Sequence, residues 1–202
     1  MIGEKDFLLP SLSEMEAKKL LKTVKEVKGL RAERDYMVLN LFLKTGVRLC
    51  ELAGLTIGDL TEALQNGRLH IRKETAKRGK ERDVPLHKDL EIHIKHFLSI
   101  KRKFREDLHD DSPAFLSKKK NSLARRSIQD IVFYWAKRSG IGKFSPHTLR
   151  HTFSVRFIEN YSGGPVKAIS ILQGYLGHSH PGTTQIYLRA STEEKREAIQ
   201  CL

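Results

Sequence analysis

Between Gly67 and Leu86 the spacing of apolar residues drops from three-to-four to two, and this change constrains the fold more than any other feature of the chain. Leu69 and Ile71 alternate with Arg68, His70 and Arg72, and Val84 and Leu86 flank Pro85. That pattern predicts two or three short antiparallel strands joined by a turn at Lys77-Arg78-Gly79-Lys80. Elsewhere the periodicity is helical. Ser13 and Glu16 form a capping-box pattern before Leu20, Leu21 and Val24, which predicts a helix ending near Gly29. Helices follow from about Ala32 to Thr45, stopped by Gly46, and from Leu49 to Leu55. Another runs from Lys88 to Arg105, and a polar loop spans Glu106 to Arg126. Ile128, Ile131, Val132, Trp135 and Ala136 mark a helix that Gly140 ends. Ser145 as N-cap and Pro146 at the first helical position open the next, which reaches about Tyr161. Gly163-Gly164-Pro165 breaks the chain before a helix from Val166 to Leu176, and a last helix covers Thr192 to Gln200. The expectation is an α+β fold, mainly α-helical, with a small antiparallel β-sheet at one edge, in a single domain over residues 1–202.

Charge narrows the class of partner. The chain has 37 Lys+Arg against 24 Asp+Glu, a formal charge of +13. An excess of this size favours a polyanion, nucleic acid first. No run approaches about 18 consecutive apolar residues, and MIGEKDFLLPSLSE lacks the succession of a secretory signal. The expected location is cytoplasmic, away from any membrane. Cys50 and Cys201 match no zinc or redox spacing.

Four segments could carry chemistry. His147-Thr148-Leu149-Arg150-His151 occupies the first turns of a helix, so His147 and Arg150 lie three apart beside a helix N-terminus, an anion-binding arrangement. Alone, it reads first as a surface His and Arg on an amphipathic helix. In Thr45-Gly46-Val47-Arg48-Leu49-Cys50-Glu51-Leu52, Arg48 is embedded among apolar residues and needs an anionic partner. Glu51 would serve in a plain helix pair, and a phosphate would serve in a clamp. Glu74 to Arg82 is either a solvated charged turn or a basic hairpin gripping a nucleic-acid backbone. In Leu176-Gly177-His178-Ser179-His180 and the following Pro181 to Tyr187, the tyrosine is either a packed ring or a nucleophile. Together, two arginines, a lysine, two histidines and a tyrosine are an inventory for in-line attack on a phosphodiester, with guanidinium groups meeting the transition-state charge.

At these residues the sequence resembles the catalytic domain of the tyrosine recombinases, the phage-integrase and Xer-like enzymes. The matching segments are 45–52, Ala-Lys-Arg-Gly-Lys-Glu-Arg-Asp-Val-Pro-Leu (76–86), Ser-Pro-His-Thr-Leu-Arg-His-Thr-Phe (145–153), Leu-Gly-His-Ser (176–179) and Thr-Thr-Gln-Ile-Tyr (183–187), in the family's order. The resemblance implies that Arg48 and Arg150 hold the non-bridging oxygens of the scissile phosphate. Tyr187 would attack it to form a 3′-phosphotyrosyl bond. Lys77 would protonate the departing 5′-oxygen, with Lys80 as competitor because Arg78 stands where the family often has glycine. His147 would be the general base and His178 would hydrogen-bond the phosphate. It further implies site-specific recombination or integration through a Holliday junction, no metal and no other cofactor, and double-stranded DNA as partner. A homo-tetramer on paired sites, accessory DNA-bending proteins and association with the nucleoid complete the implied setting.

The pattern departs from the family in two further places. The segment before Leu-Gly-His is a few residues longer, with the extra length at Asn160 to Pro165. No N-terminal core-binding domain precedes Arg48, so the chain is either a fragment of a longer enzyme or one of the short, single-domain recombinases. In the family, a tail like Leu188 to Leu202 packs on a neighbouring protomer. Arg72, Lys73, Arg78, Lys80 and Arg82 along the hairpin, and Lys118, Lys119, Lys120, Arg125 and Arg126 around the loop, read as DNA-backbone contacts. Competing readings are a non-cleaving DNA-binding regulator on the same scaffold, type IB topoisomerase-like strand passage, and a metal enzyme using His147, His151, His178 and His180. The last lacks an HExxH-type glutamate and a nearby cysteine.

Overall fold

The computed structural model describes residues 11–76 and 79–176. Lys77, Arg78, His178, His180, Tyr187, Cys201, the expected helix at 192–200 and the 188–202 tail lie outside them. The chain divides into two compact units, residues 1–154 and 155–202.

The first unit is built around α2, Leu30–Thr45. Its sequence predicts an apolar stripe of Met37, Val38, Leu41 and Phe42, but burial extends around almost the whole helix, because Leu39 and Asn40 on other faces are buried too. A helix apolar on most sides belongs in the middle of a core. Around it pack α1 (Glu14–Lys25), α5 (Lys88–Lys103) and α6 (Arg125–Ser139). The predicted capping box opens α1: Ser13 and Glu16 bond reciprocally, at 2.8 Å from the Ser13 N–H to the carboxylate. The helix stops at Lys25, before the expected end, and Gly29 becomes the N-cap of α2. Asp35, buried on α2, accepts from the Trp135 indole of α6 at 3.0 Å and from Arg34 at 2.7 Å. This polar pair ties α2 to α6 across the core.

After α2 come α3 (Leu49–Ala53) and α4 (Ile57–Asn66). The conspicuous periodicity predicts no element over 56–66. Its signal was local, since Thr56 and Asp59 cap the helix reciprocally and Leu60 and Ala63 supply its buried side. Among the described residues the sheet has two strands, β1 (Arg68–Ile71) and β2 (Arg82–Pro85), antiparallel with Leu69 opposite Val84 and Ile71 opposite Arg82. Leu69, Ile71 and Val84 face the core, and His70 meets Asp83 at 2.8 Å on the outer side.

The expected loop from Glu106 ends at Ala124, where α6 begins, and within it Ala114, Phe115, Leu116 and Leu123 are buried. The backbone fastens it beside α4: Ile57 N–H donates to Ser112 at 2.8 Å, Gly58 to Asp110 at 2.9 Å, and Ala114 to Leu55 at 2.9 Å. Lys101, wholly buried on α5, is neutralised by Glu106 at 2.6 Å. Packing of this kind makes the segment part of the domain.

The helix α7, Pro146–Asn160, starts after the predicted cap Ser145, whose hydroxyl accepts from the Thr148 N–H at 3.3 Å, and the Thr148 hydroxyl in turn accepts from the Ser145 N–H at 3.2 Å. In the second unit, Phe157 stacks on Tyr161 and meets Tyr175 edge-on, and α8 (Pro165–Leu176) follows the short Tyr161 to Gly164 connection. No helix among the described residues is long and apolar enough to cross a membrane.

Candidate active site

Three segments distant in sequence meet around the start of α3. Gly46 ends α2 in the left-handed conformation, at φ 60° and ψ 23°. That conformation costs an L side chain about 1–2 kcal/mol. The reversal leaves the Gly46 carbonyl to accept a hydrogen bond from Nη1 of Arg150, 104 residues later in the first turns of α7. Two residues beyond Gly46, Arg48 is the N-cap of α3. Arg150 is buried at 8% exposure, and the Arg48 side chain is 19% exposed. The two arginines that sequence reading singled out are therefore anchored within two residues of each other on the same turn. Replacing Gly46 by alanine is expected to lower stability by about 1–2 kcal/mol in urea unfolding; an unchanged midpoint would show that the turn relaxes freely.

Glu51 organises the next layer. It is fully buried and accepts the Arg48 backbone N–H at 2.7 Å and the Arg48 Nη1 at 3.0 Å. The spacing of three residues allows for this pairing. The second partner comes from outside the segment: Arg82 of β2 forks onto the same carboxylate at 2.8 and 2.7 Å. Burial alone would raise the Glu51 pKa, but the hydrogen bonds and charge of Arg82, joined by Arg48, outweigh it and hold the carboxyl below its ordinary range. The expectation that Arg82 contacts DNA meets an inward-turned guanidinium only 7% exposed. Its direction was legible in the alternation, since Arg82 lies two residues before buried Val84 and so shares its face.

Arg72 is also engaged within the chain, with Asp59 at 3.0 Å and the Gly54 carbonyl at 2.8 Å. Gly54 also lets Thr75 pack against this turn: a Cβ there would fall 2.5 Å from the Thr75 methyl. Lys73 and Lys80 are exposed on the hairpin. Lys118, Lys119 and Lys120 stand exposed on a tight turn closed by Ser117 N–H to Asn121 at 2.8 Å, and Lys120 has a positive φ of 59°. Arg125 and Arg126 are exposed at the start of α6, where Arg126 pairs with Asp130 at 3.2 Å. This loop abuts α3, since the Ser122 hydroxyl donates to Ala53 at 3.4 Å. His147 is exposed on the first turn of α7, and His151, one turn on, is buried. Among the described residues, no three His, Cys, Asp or Glu side chains are gathered to hold a metal ion.

Comparison with known proteins gives this arrangement a context. Residues 10–194 match the phage integrase family. The tyrosine recombinase XerA of Pyrococcus furiosus is 32% identical over 194 residues, covering 94% of this chain and 60% of that protein. The tyrosine recombinase XerC of Actinobacillus pleuropneumoniae is 34% identical over 155 residues, covering 76% of this chain and 46% of that protein. The chain thus spans roughly half to three fifths of these relatives' length. A crystal structure of XerA recombinase superposes with a TM-score of 0.75 at 28% identity, over 99% of this chain and 65% of that one. A XerH recombinase bound to its difH substrate shares the fold, with a TM-score of 0.74 at 24% identity over 95% of this chain and 54% of that one. The mainly helical domain with its two-stranded sheet is a tyrosine-recombinase catalytic fold, and the chain belongs to the phage integrase family.

Proposed function

We propose that this chain carries the catalytic domain of a site-specific DNA recombinase that cleaves and rejoins strands through Tyr187, with neither metal nor nucleotide cofactor. The observation that carries this reading is the meeting of Arg150 and Arg48 on the Gly46 turn. Two guanidinium groups, largely withdrawn from water, present planar donors to one phosphate and act more strongly there than in solvent. Membership of the phage integrase family supports it, as do DNA-bound structural relatives.

In this reading Arg48 and Arg150 bind the non-bridging oxygens. The Tyr187 oxygen attacks phosphorus as the bond to the 5′-oxygen breaks. His147 takes the tyrosine proton, Lys77 or Lys80 protonates the departing oxygen, and His178 hydrogen-bonds the phosphate. The phosphotyrosyl ester keeps the bond energy, so a 5′-hydroxyl from another strand reverses the step, and two rounds pass through a Holliday junction. Tetramers on paired sites, with the 188–202 tail packed on a neighbouring protomer, would hold the four strands.

The exposed Lys118, Lys119, Lys120 and Arg125 supply backbone contacts. Changing the three lysines to glutamine is expected to lower the slope of log affinity against log salt by about 2 to 3, since each phosphate contact contributes about 0.9. An unchanged slope on random duplex DNA would remove this loop from the interface. The catalytic reading is tested with nicked suicide duplexes drawn from DNA flanking the gene and resolved on a denaturing gel. An EDTA-resistant covalent complex that disappears in Tyr187→Phe is expected. Salt-sensitive binding without any adduct would contradict cleavage.

A further inference from the structure

We propose that Arg82 is a positioning residue for Arg48, acting through Glu51, and not a contact to the DNA backbone. The inference rests on the recombinase reading and adds a residue to it.

Both carboxylate oxygens of Glu51 are shared between the two arginines. Oε1 receives Nη1 of Arg48 at 3.0 Å and Nη1 of Arg82 at 2.8 Å, while Oε2 receives the Arg48 backbone N–H at 2.7 Å and Nη2 of Arg82 at 2.7 Å. Glu51 is fully buried, so its charge cannot be satisfied by water. Arg82 supplies the planar two-pronged pairing that a carboxylate accepts best. Arg48 therefore needs to give Glu51 only its backbone N–H and one prong. Without Arg82, the buried carboxylate would draw the Arg48 guanidinium into two-pronged pairing and away from the substrate phosphate.

Arg82 also fixes where the hairpin stands. It is the first residue of β2, and Arg72, just past the end of β1, is tied to the Gly54 carbonyl and Asp59. Both arms of the hairpin are thereby bound to α3 and α4 at the base of the segment that contains Lys77 and Lys80. The frame that carries the proposed general acid is the frame that carries Arg48.

Arg82→Met keeps the stem and removes the fork, and Arg82→Lys keeps the charge with a single donor point. In single-turnover adduct formation at saturating DNA, Arg82→Met is expected to slow the reaction at least thirtyfold. DNA affinity should stay within about threefold, with an unchanged salt slope. Arg82→Lys should recover part of the rate. A salt slope reduced by about one, with a normal rate at saturation, would make Arg82 a backbone contact and overturn the proposal. A loss of rate explained entirely by a loss of folded protein, measured by active-site titration, would also overturn it. Absence of any adduct from the wild type would instead count against the recombinase reading. The positioning claim is then decided by the Arg48 Nε–H resonance, assigned by its loss in Arg48→Lys. It should shift or broaden in Arg82→Met, and an unmoved resonance would overturn the proposal.

Discussion

Replacing Arg150 by lysine is expected to slow covalent adduct formation by about 10²–10³-fold, the usual effect of removing one preorganised donor from a developing oxyanion. Lysine keeps the positive charge, so a smaller effect would follow if charge alone mattered. The arginine, however, spans two tasks. One nitrogen is committed to the Gly46 carbonyl, which sets the orientation of the plane, and in the proposed reaction the planar fork would then meet the phosphate. A lysine ammonium is a point donor without that plane, so it cannot inherit both roles. Folding should suffer far less, by about 1 kcal/mol, because the hydrogen bond to Gly46 is weakened while the charge is retained. Single-turnover rates with thermal unfolding on the same samples test the split. A rate within threefold of wild type would exclude Arg150 from the phosphate site.

The second large effect concerns stability. Glu51→Ala is expected to destabilise the fold by about 3–5 kcal/mol, because it removes the buried carboxylate that the guanidinium groups of Arg82 and Arg48 share. Chemical denaturation measures this directly, and a loss under about 1 kcal/mol would mean that the arginines find other partners cheaply. Glu51→Gln gives the pH signature. The native carboxyl titrates below its unfolded value of about 4.3. In the interval between the two pKa values the unfolded chain binds more protons, so stability rises with pH. The contribution of Glu51 is complete above the unfolded value and is lost as pH falls through the folded one. The stability gap between wild type and Glu51→Gln should therefore be flat near neutrality and narrow below about pH 4.3. A gap that narrows instead as pH rises would place the titration on another group.

How much of this was readable in the sequence depended on whether a signal was local. The caps at Ser13 and Ser145, the glycine stops at Gly46 and Gly140 and the alternation in 68–86 are contained in a few residues, and the elements formed where those signals lay. The helix Ile57–Asn66 had an equally local cap, Thr56 with Asp59, but its apolar positions are few and it lies between more conspicuous motifs. The polar character of 106–126 concealed Ala114, Phe115 and Leu116, whose burial depends on backbone pairing with Leu55 to Gly58.

The site divides in the same manner. Arg48 and Glu51 are three apart on one short helix, so their pairing was visible. The Arg82 pairing joins residues 31 apart, and the Arg150 contact to Gly46 joins residues 104 apart, which only the tertiary fold brings together. The alternation places Arg82 on the face of buried Val84, but its positive charge in a basic run favours an outward reading. Charge runs describe composition, and the pleat decides direction.

The most direct test of the central claim is to identify the amino acid that becomes linked to DNA. The adduct formed on pooled suicide duplexes in the presence of EDTA would be digested with trypsin and nuclease and sequenced by mass spectrometry. A nucleotide attached to Tyr187 through its phenolic oxygen is the predicted result. Attachment to any other residue, or an adduct that forms only with added divalent metal, would contradict it.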